Sequence, residues 1–273
     1  MERAKEHDRL AGIASDSWYA KGVNSTTVAY SLRIFSRHWR PGSCLELGPA
    51  EGLATASLVS HFDDFTCVEG AEAFAVALRE RHPGIRVECA IFEEYVPGRT
   101  FDNIVLGHVL EHVERPVEIL SRVKSWLSAN GRVFALVPNA RSLHRQMGVV
   151  MGLLDSEHSL NAVDLHHGHR RVYDPESLRR DFHAAGFASL AIDGLAEIGD
   201  RPGALGVAGN QIEDRSLNLL IALETVVTRD IFFECYPEPF AQAIRALRRV
   251  NHGSVDSHLA RQRCFKRCRV PRP

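Results

Sequence analysis

Apolar residues between positions 43 and 137 follow two alternating periods. Short runs that are apolar at most positions, at 43–48, 65–69, 86–91, 102–107 and 132–137, predict strands buried on both faces. The stretches between them at 52–61, 71–81 and 116–128 have helical composition and predict helices. Strands joined through helices pair in parallel with right-handed crossovers. The expected architecture is therefore α/β: a Rossmann-like, doubly wound, mostly parallel sheet with helices on both faces. Ligands of such sheets lie beyond the carboxyl ends of the strands, near the point where strand order reverses. Gly48, Glu69, Ile91-Phe92 and Gly107-His108 all fall at those ends.

The flanks are read by the same patterns. Residues 1–24 are polar and low in pattern, although Trp18, Tyr19 and Asn24 are suited to fold over a ligand. From Asn24 or Ser25, Val28, Leu32, Phe35 and Trp39 recur at helical spacing, which predicts a helix on the sheet edge. After Asn139 the rhythm breaks. Ala140 to Arg171 carries His144, His158, His166, His167 and His169 with Arg141, Arg145, Arg170 and Arg171, around the apolar piece Met147–Leu154. An insertion there suits a substrate lid. Asp174 as cap and Pro175 in the first turn begin another helix, Gly186 stops it, and 188–198 reads as a sixth strand. Leu217 to Val227 looks helical. The organisation expected is a helical cap over 1–42, a core over 43–199 with its lid at 140–171, a helical segment over 200–250 and a basic, solvated tail over 251–273.

Composition narrows the function classes. A chain of 273 residues, 45% hydrophobic and 25% charged, can bury one sizeable core. Its formal net charge of −1 gives no overall field favouring nucleic acid, and the basic tail reads as solvated. No apolar run approaches the roughly 20 residues that span a bilayer, and Met1-Glu-Arg-Ala-Lys-Glu is too charged for a secretory signal, so a cytoplasmic protein is expected. Cys44, Cys67 and Cys89 occupy similar places in three predicted strands and read as small, buried, reduced side chains.

The chemistry centres on Ser43-Cys-Leu-Glu-Leu-Gly-Pro-Ala-Glu-Gly52, a strand-to-helix turn. Gly48 and Gly52 let the backbone bend and approach a ligand. The spacing Gly48-x-Ala50-x-Gly52 is one residue shorter than the dinucleotide pattern G-x-G-x-x-G. Glu46, just before the turn, is poorly placed for a pyrophosphate and well placed for the ammonium of a methionine moiety. Glu69, ending the next strand, suits a ribose diol.

These segments, with Val68-Glu69-Gly70, Phe101-Asp-Asn-Ile-Val-Leu-Gly-His-Val-Leu-Glu-His-Val113 and Asn130-Gly-Arg-Val-Phe-Ala-Leu-Val-Pro-Asn139, resemble the ordered motifs of class I S-adenosylmethionine-dependent methyltransferases. The likeness covers about residues 25–195 and is closest to the ubiquinone-biosynthesis and natural-product-tailoring group. It implies S-adenosyl-L-methionine as cofactor and a small-molecule acceptor. Glu46, Gly48, Ala50 and Gly52 would serve the methionine end, Glu69 and Gly70 the ribose, Phe92 the adenine, and Gly107 and His108 the methyl side. Where the family often has an acid before Phe92, this chain has Ile91. The resemblance also implies a last strand antiparallel to the others, for which 231–235 and 244–250 compete.

His108 is the first candidate for a general base on an acceptor hydroxyl, with His144 and His169 in reserve and Tyr173 to orient the acceptor. N-methylation of a small molecule or peptide is an alternative, as is a non-catalytic, cofactor-binding regulatory protein. His108-Val-Leu-Glu111-His112 also spells the zinc-peptidase pattern H-x-x-E-H, which needs a long helix and here follows a strand. Small-RNA 2′-O-methyltransferases and some ubiquinone O-methyltransferases are similar at this place, with an acid-x-x-Glu-His metal site. That likeness implies a divalent ion on Glu111, His112 and a lid histidine such as His167, with His108 standing where an acid is expected.

Overall fold

A computed structural model describes residues 2–17, 23–188, 190–198 and 219–227. The alternating pattern folds as β1 (Cys44–Leu47), α3 (Thr55–Leu58), β2 (Phe65–Glu69), α4 (Glu72–Arg81), β3 (Arg86–Cys89), β4 (Phe101–Gly107), α5 (Pro116–Ser125) and β5 (Leu127–Pro138). Ahead of it stand α1 (Glu2–Ser15) and α2 (Val23–Phe35), the latter continued by a 3₁₀ turn over Ser36–His38. After it come α6 (Leu143–Val150), α7 (Ala162–His166), α8 (Pro175–Ala184), β6 (Ala191–Ile198) and β7 (Leu219–Val227). The strands form one sheet in the order β3-β2-β1-β4-β5-β7-β6, every pair parallel. The order reverses between β1 and β4, so Gly48 and Gly107 meet at the switch point.

Alternation along the strands explains both faces. Leu45, Leu47, Ile104, Leu106, Val133, Ala135 and Val137 share one core with Ile119, Leu120 and Val123 of α5 and Leu178 and Phe182 of α8. Their neighbours Cys44, Val105, Phe134 and Leu136 share the other with Val28, Leu32 and Phe35 of α2 and Ala75 and Leu78 of α4. Each such buried side chain contributes about 1.5–3 kcal/mol. Glu46 points to the α2 face, because it is one residue out of phase with Leu45 and Leu47. As expected, Asp174 caps α8 by accepting from Ser177 N, Pro175 follows, and Gly186 ends the segment at φ 88°.

Four expectations change. The N-terminal polar stretch contains helix α1. Of the stretch expected to be helical at Leu217–Val227, the nine described residues form β7, which lies between β5 and β6 and runs parallel to both. A continuous apolar run does not distinguish a buried helix from a buried parallel strand, and pairing with β5 decides. Cys89 is exposed because β3 is an edge strand, whereas Cys44 and Cys67 are buried. The helix expected at 52–61 shortens to Thr55–Leu58. Trp18, Tyr19, the two competing last strands and the basic tail lie outside the described residues. Among the described residues no helix is long and apolar enough to cross a membrane.

A fully buried amide fixes the start of the sheet. Asn103 Oδ1 accepts from Arg40 N at 2.8 Å, and its Nδ2 donates to the carbonyls of Arg40 at 2.8 Å and Ser43 at 3.2 Å. Asn103→Ala strands Arg40 N and Arg40 O, whereas Ser43 O keeps its bond from the backbone N–H of residue 103, and a loss of about 2–3 kcal/mol is expected, read from the urea midpoint at constant m-value.

Candidate active site

At the carboxyl edge, Gly48, Ala50, Glu69, Gly70, Phe92, Gly107, His108, His112, His167 and His169 line one cavity of about 140 Å³. Four strand ends and the 140–171 segment thus converge there. A Cβ on Gly48 would lie 3.1 Å from Val109 and 3.3 Å from Phe92, so glycine lets these side chains close against the turn. Two non-glycine residues with positive φ, Ala50 at 48° and His108 at 57°, both belong to this rim. Such backbone costs of order 1–3 kcal/mol per residue and concentrates at functional sites.

Glu69 ties the rim together. Its Oε2 accepts from Ala50 N at 3.0 Å and its Oε1 from Ala71 N at 2.8 Å, joining the loops after β1 and β2. Burial raises its carboxyl above the ordinary range despite these bonds. A carboxylate has about four acceptor sites, so lone pairs remain for a diol.

Glu46 lines a smaller hollow under α2, bounded by Ser31, Gly48, Leu53 and Gly107, two of which also border the main cavity. It is 3% exposed, and its Oε2 accepts from Thr55 Oγ1 at 2.6 Å and Cys67 Sγ at 3.6 Å. No basic side chain pairs with it among the described ion pairs. Burial pushes its carboxyl up to about 7, so this hollow holds an acid poised for a cationic partner.

Beyond β4 the chain is a loop, not a helix, through His108–His112, which removes the geometry that the peptidase pattern requires. His108 Nδ1 donates to Glu111 Oε1 at 2.9 Å. Glu111 is fully buried, and its Oε2 has no hydrogen-bond partner among the described residues. Burial alone would raise this carboxyl, but the bond from His108 and the imidazoles of His112 and His169 outweigh it and hold it below the ordinary range. One ligand atom from each of Glu111, His112 and His169 lies within 4.8 Å of the others. The His112 and His169 rings meet edge-on with centroids 4.7 Å apart. Burial, with the nearby histidines, lowers His112 to about 4 and His167 likewise. The lid histidine in this cluster is His169 rather than the expected His167, whose ring is 6.1 Å from that of His169.

Arginines place the lid. Arg170 N donates to Glu111 O at 2.8 Å and Arg170 Nε to His112 O at 2.8 Å, while Arg171 NH1 donates to Leu110 O at 2.8 Å. The loop after β4 and the end of the lid are thereby stapled into one unit.

Three expected residues lie elsewhere. Tyr173 is a core residue whose hydroxyl donates to Asp181 Oδ2 at 3.1 Å, so it cannot orient an acceptor in the cavity. His144 is absent from the lining, and burial lowers it to about 4. Gly52, at φ 81°, makes room for Leu78, 2.8 Å from where a Cβ would stand, and serves helix packing. The sequence reading missed α1, which roofs the cavity with Glu6, Arg9, Leu10 and Ile13. Their i, i+3, i+4, i+7 spacing is a helical stripe that was available in the sequence. Glu6 pairs with Arg9 at 2.5 Å and Arg170 at 3.3 Å, so the roof is joined to the lid.

A methyltransferase-domain family profile matches residues 21–192, well over half of the chain. No curated protein matches in sequence. Among solved structures, the glycopeptide N-methyltransferase MtfA complexed with S-adenosyl-L-methionine is 15% identical over 62% of this chain and 79% of its own, at a TM-score of 0.46. The N-methyltransferase NodS from Bradyrhizobium japonicum WM9, in complex with S-adenosyl-L-homocysteine, is 18% identical over 46% of this chain and 70% of its own, at 0.43. The sugar N-methyltransferase KedS8 from Streptoalloteichus sp ATCC 53650 is 24% identical over 42% of this chain and 49% of its own, at 0.39. The chain spans only 37% of coclaurine N-methyltransferase, which is 19% identical over 42% of this chain at a TM-score of 0.38.

The raised carboxyl of Glu46 gives a signed expectation. A group that protonates more readily when folded favours folding below its unfolded value and loses that contribution as pH rises through about 7. Glu46→Gln therefore gains stability over the parent between about pH 4.5 and 7, reaching on the order of 3 kcal/mol at pH 8 without cofactor. Parallel denaturation curves across that range check it, and a pH-independent difference refutes it.

Proposed function

The chain belongs to the methyltransferase-domain family, with S-adenosylmethionine as its methyl donor, and we propose that it methylates a small-molecule hydroxyl with His108 as general base. The observation that carries this reading is that Gly48, Glu69, Phe92 and His108 share one cavity at the switch point of a parallel sheet. The cofactor fits what is there: a glycine where a Cβ would crowd, a carboxylate with spare lone pairs, and a buried acid without a cation. Glu46 would hold the ammonium, Glu69 the ribose hydroxyls, and Phe92 with Ile91 the adenine, whose contact to the exocyclic amine falls to backbone groups.

The cofactor supplies a methyl sulfonium that is already electrophilic. The protein must place the acceptor oxygen in line with it and exclude water. The carboxylate of Glu111 only accepts, so it keeps the His108 proton on Nδ1 and leaves Nε2 as the basic nitrogen. Nε2 takes the hydroxyl proton as the oxygen–carbon bond forms. Glu69→Ala is expected to weaken S-adenosylhomocysteine binding at least about tenfold by titration calorimetry, since each charged hydrogen bond is worth about 1.5–3 kcal/mol. His108→Gln should lower kcat about 10²- to 10⁴-fold with much less change in cofactor affinity. Methylated nitrogen as the product of a metabolite-extract screen would replace the hydroxyl assignment. Cofactor binding without any turnover would favour a regulatory protein.

A second reading is favoured by the cluster of Glu111, His112 and His169 and by the buried, unpartnered Glu111 Oε2. These three fit a divalent cation that polarises the acceptor hydroxyl, and two imidazoles with one carboxylate suit a transition metal better than magnesium. Thorough chelation should then abolish turnover and added Mn²⁺, Co²⁺ or Zn²⁺ restore it. Full activity after chelation ends this reading and leaves His108 as base.

A further inference from the structure

The lid contains a buried charged chain that ends on a cavity histidine and that the assigned chemistry does not use. Arg145, on α6, is 2% exposed, and its guanidinium donates to Glu157 O at 2.6 Å, to Ser159 O and, through NH1, to Asp164 Oδ2 at 3.0 Å. Asn161 N donates to the same Oδ2 at 2.9 Å as part of the capping box of α7. Two fixed donors thus occupy Oδ2, and Oδ1 is turned to His169 Nδ1 at 3.1 Å. His169 N also donates to Asp164 O at 2.9 Å, so backbone and side chain of residue 169 are both referenced to residue 164.

We propose that Asp164, pinned by Arg145, is a positioning residue that holds His169 with its proton on Nδ1 and its Nε2 lone pair available to the cavity. The inference rests on reading that cavity as the methyl-acceptor site. A carboxylate accepts and cannot donate, so the imidazole nitrogen facing it carries the hydrogen. A histidine fixed this way presents the other nitrogen as an acceptor, either for the substrate proton or for a cation shared with Glu111 and His112. The lid thereby acts on the acceptor side through His169, at the end of a chain whose charged members are shielded from water. An isolated carboxylate in this place would cost several kcal/mol of desolvation, and Arg145 offsets it.

Asp164→Asn makes a discriminating test. The donors Arg145 NH1 and Asn161 N hold the amide oxygen on their side, which turns the amide NH₂ toward His169 Nδ1. That nitrogen must then accept, and the proton moves to Nε2. Full-length, chelator-treated protein with ¹⁵N-histidine is examined by long-range ¹H–¹⁵N correlation near pH 8, above the ordinary histidine range. The His169 signals are assigned by their loss in His169→Gln. Nδ1–H in the parent and Nε2–H in Asp164→Asn are expected, with kcat/KM for methyl transfer reduced about 10- to 100-fold and cofactor affinity within about twofold. Nε2–H in the parent, or an unchanged tautomer in a folded Asp164→Asn protein, overturns the proposal. If the variant does not fold, as judged by circular dichroism, the parent spectrum alone decides by the same criterion. The tautomer is read without turnover, so Nδ1–H in a protein that transfers no methyl group defeats the functional reading and leaves the placement of His169 standing.

Discussion

Parallel pairing of β1 with both β2 and β4 is the constraint from which the site follows. Glu46 stands opposite Cys67 on one side and Val105 on the other, and Leu47 opposite Val68 and Leu106. This register brings three strands to their ends within about one residue of each other. The next residues, Gly48, Glu69 and Gly107, therefore leave the sheet along a single line. Because parallel crossovers return each chain segment to the same end of the sheet, the loops that leave from these residues have no other edge to occupy. A one-residue slip of β1 would turn Glu46 into the core that Leu45 and Leu47 now fill, turn those leucines to the α2 face, and remove the acid from the hollow under α2.

That constraint also explains what the sequence makes readable. Runs that are buried on both faces are rich in apolar positions, and the helices between them carry periodic stripes, so β1, β2, β4 and β5 could be read directly, while β3, an edge strand with only Val87 buried, followed from the alternation of strands and helices. The positions of Gly48, Glu69 and His108 at strand ends are a corollary of the same pattern. Features set by long-range packing were less accessible. Leu219–Val227 is apolar at seven of its nine positions, and only its pairing with β5 makes it a strand. Tyr173 resembles an active-site hydroxyl in sequence, yet Asn139 and Tyr173 bridge the two chain segments and turn its ring into the core. His167 and His169 are equivalent by composition. The capping box at Asn161 and the bond from His169 to Asp164 separate them, and that local chemistry was written in the sequence as Asn161-Ala-Val-Asp164.

The roof over the cavity is held by contacts that need small residues opposite α1. A Cβ on Gly70 would meet Leu10 at 2.6 Å, and one on Gly168, whose φ is 76°, would meet Ile13 at 2.8 Å. One glycine follows β2 and the other lies in the 140–171 segment, so α1 is packed on both parts of the cavity wall at once. The ion pairs of Glu6 with Arg9 and Arg170 are partly exposed, and exposed pairs contribute at most about 1 kcal/mol each. The close apolar approach at the two glycines, more than the charges, is therefore what seats α1.

The electrostatics around Glu111 set a condition on the chemistry. Burial lowers His112 and His167 to about 4, while Glu111 is held below the ordinary carboxylate range, so the side of the cavity proposed to take the acceptor carries a buried carboxylate near two imidazoles that are neutral at ordinary pH. Negative charge developing on an acceptor oxygen is disfavoured there unless positive charge arrives with it. Under the proposed hydroxyl reading, a protonated His108 beside Glu111 would supply it as the hydroxyl proton is taken, and a cation on Glu111, His112 and His169 would supply it beforehand. Both routes use the same buried carboxylate, one through the Oε1 that accepts from His108 and the other through a group with an oxygen left unpartnered. Neither works with Glu111 as a neutral acid, because a protonated carboxyl would neither hold His108 in its tautomer nor attract a metal. The local field that favours the ionised form of Glu111 despite complete burial is thus a precondition shared by both proposed routes.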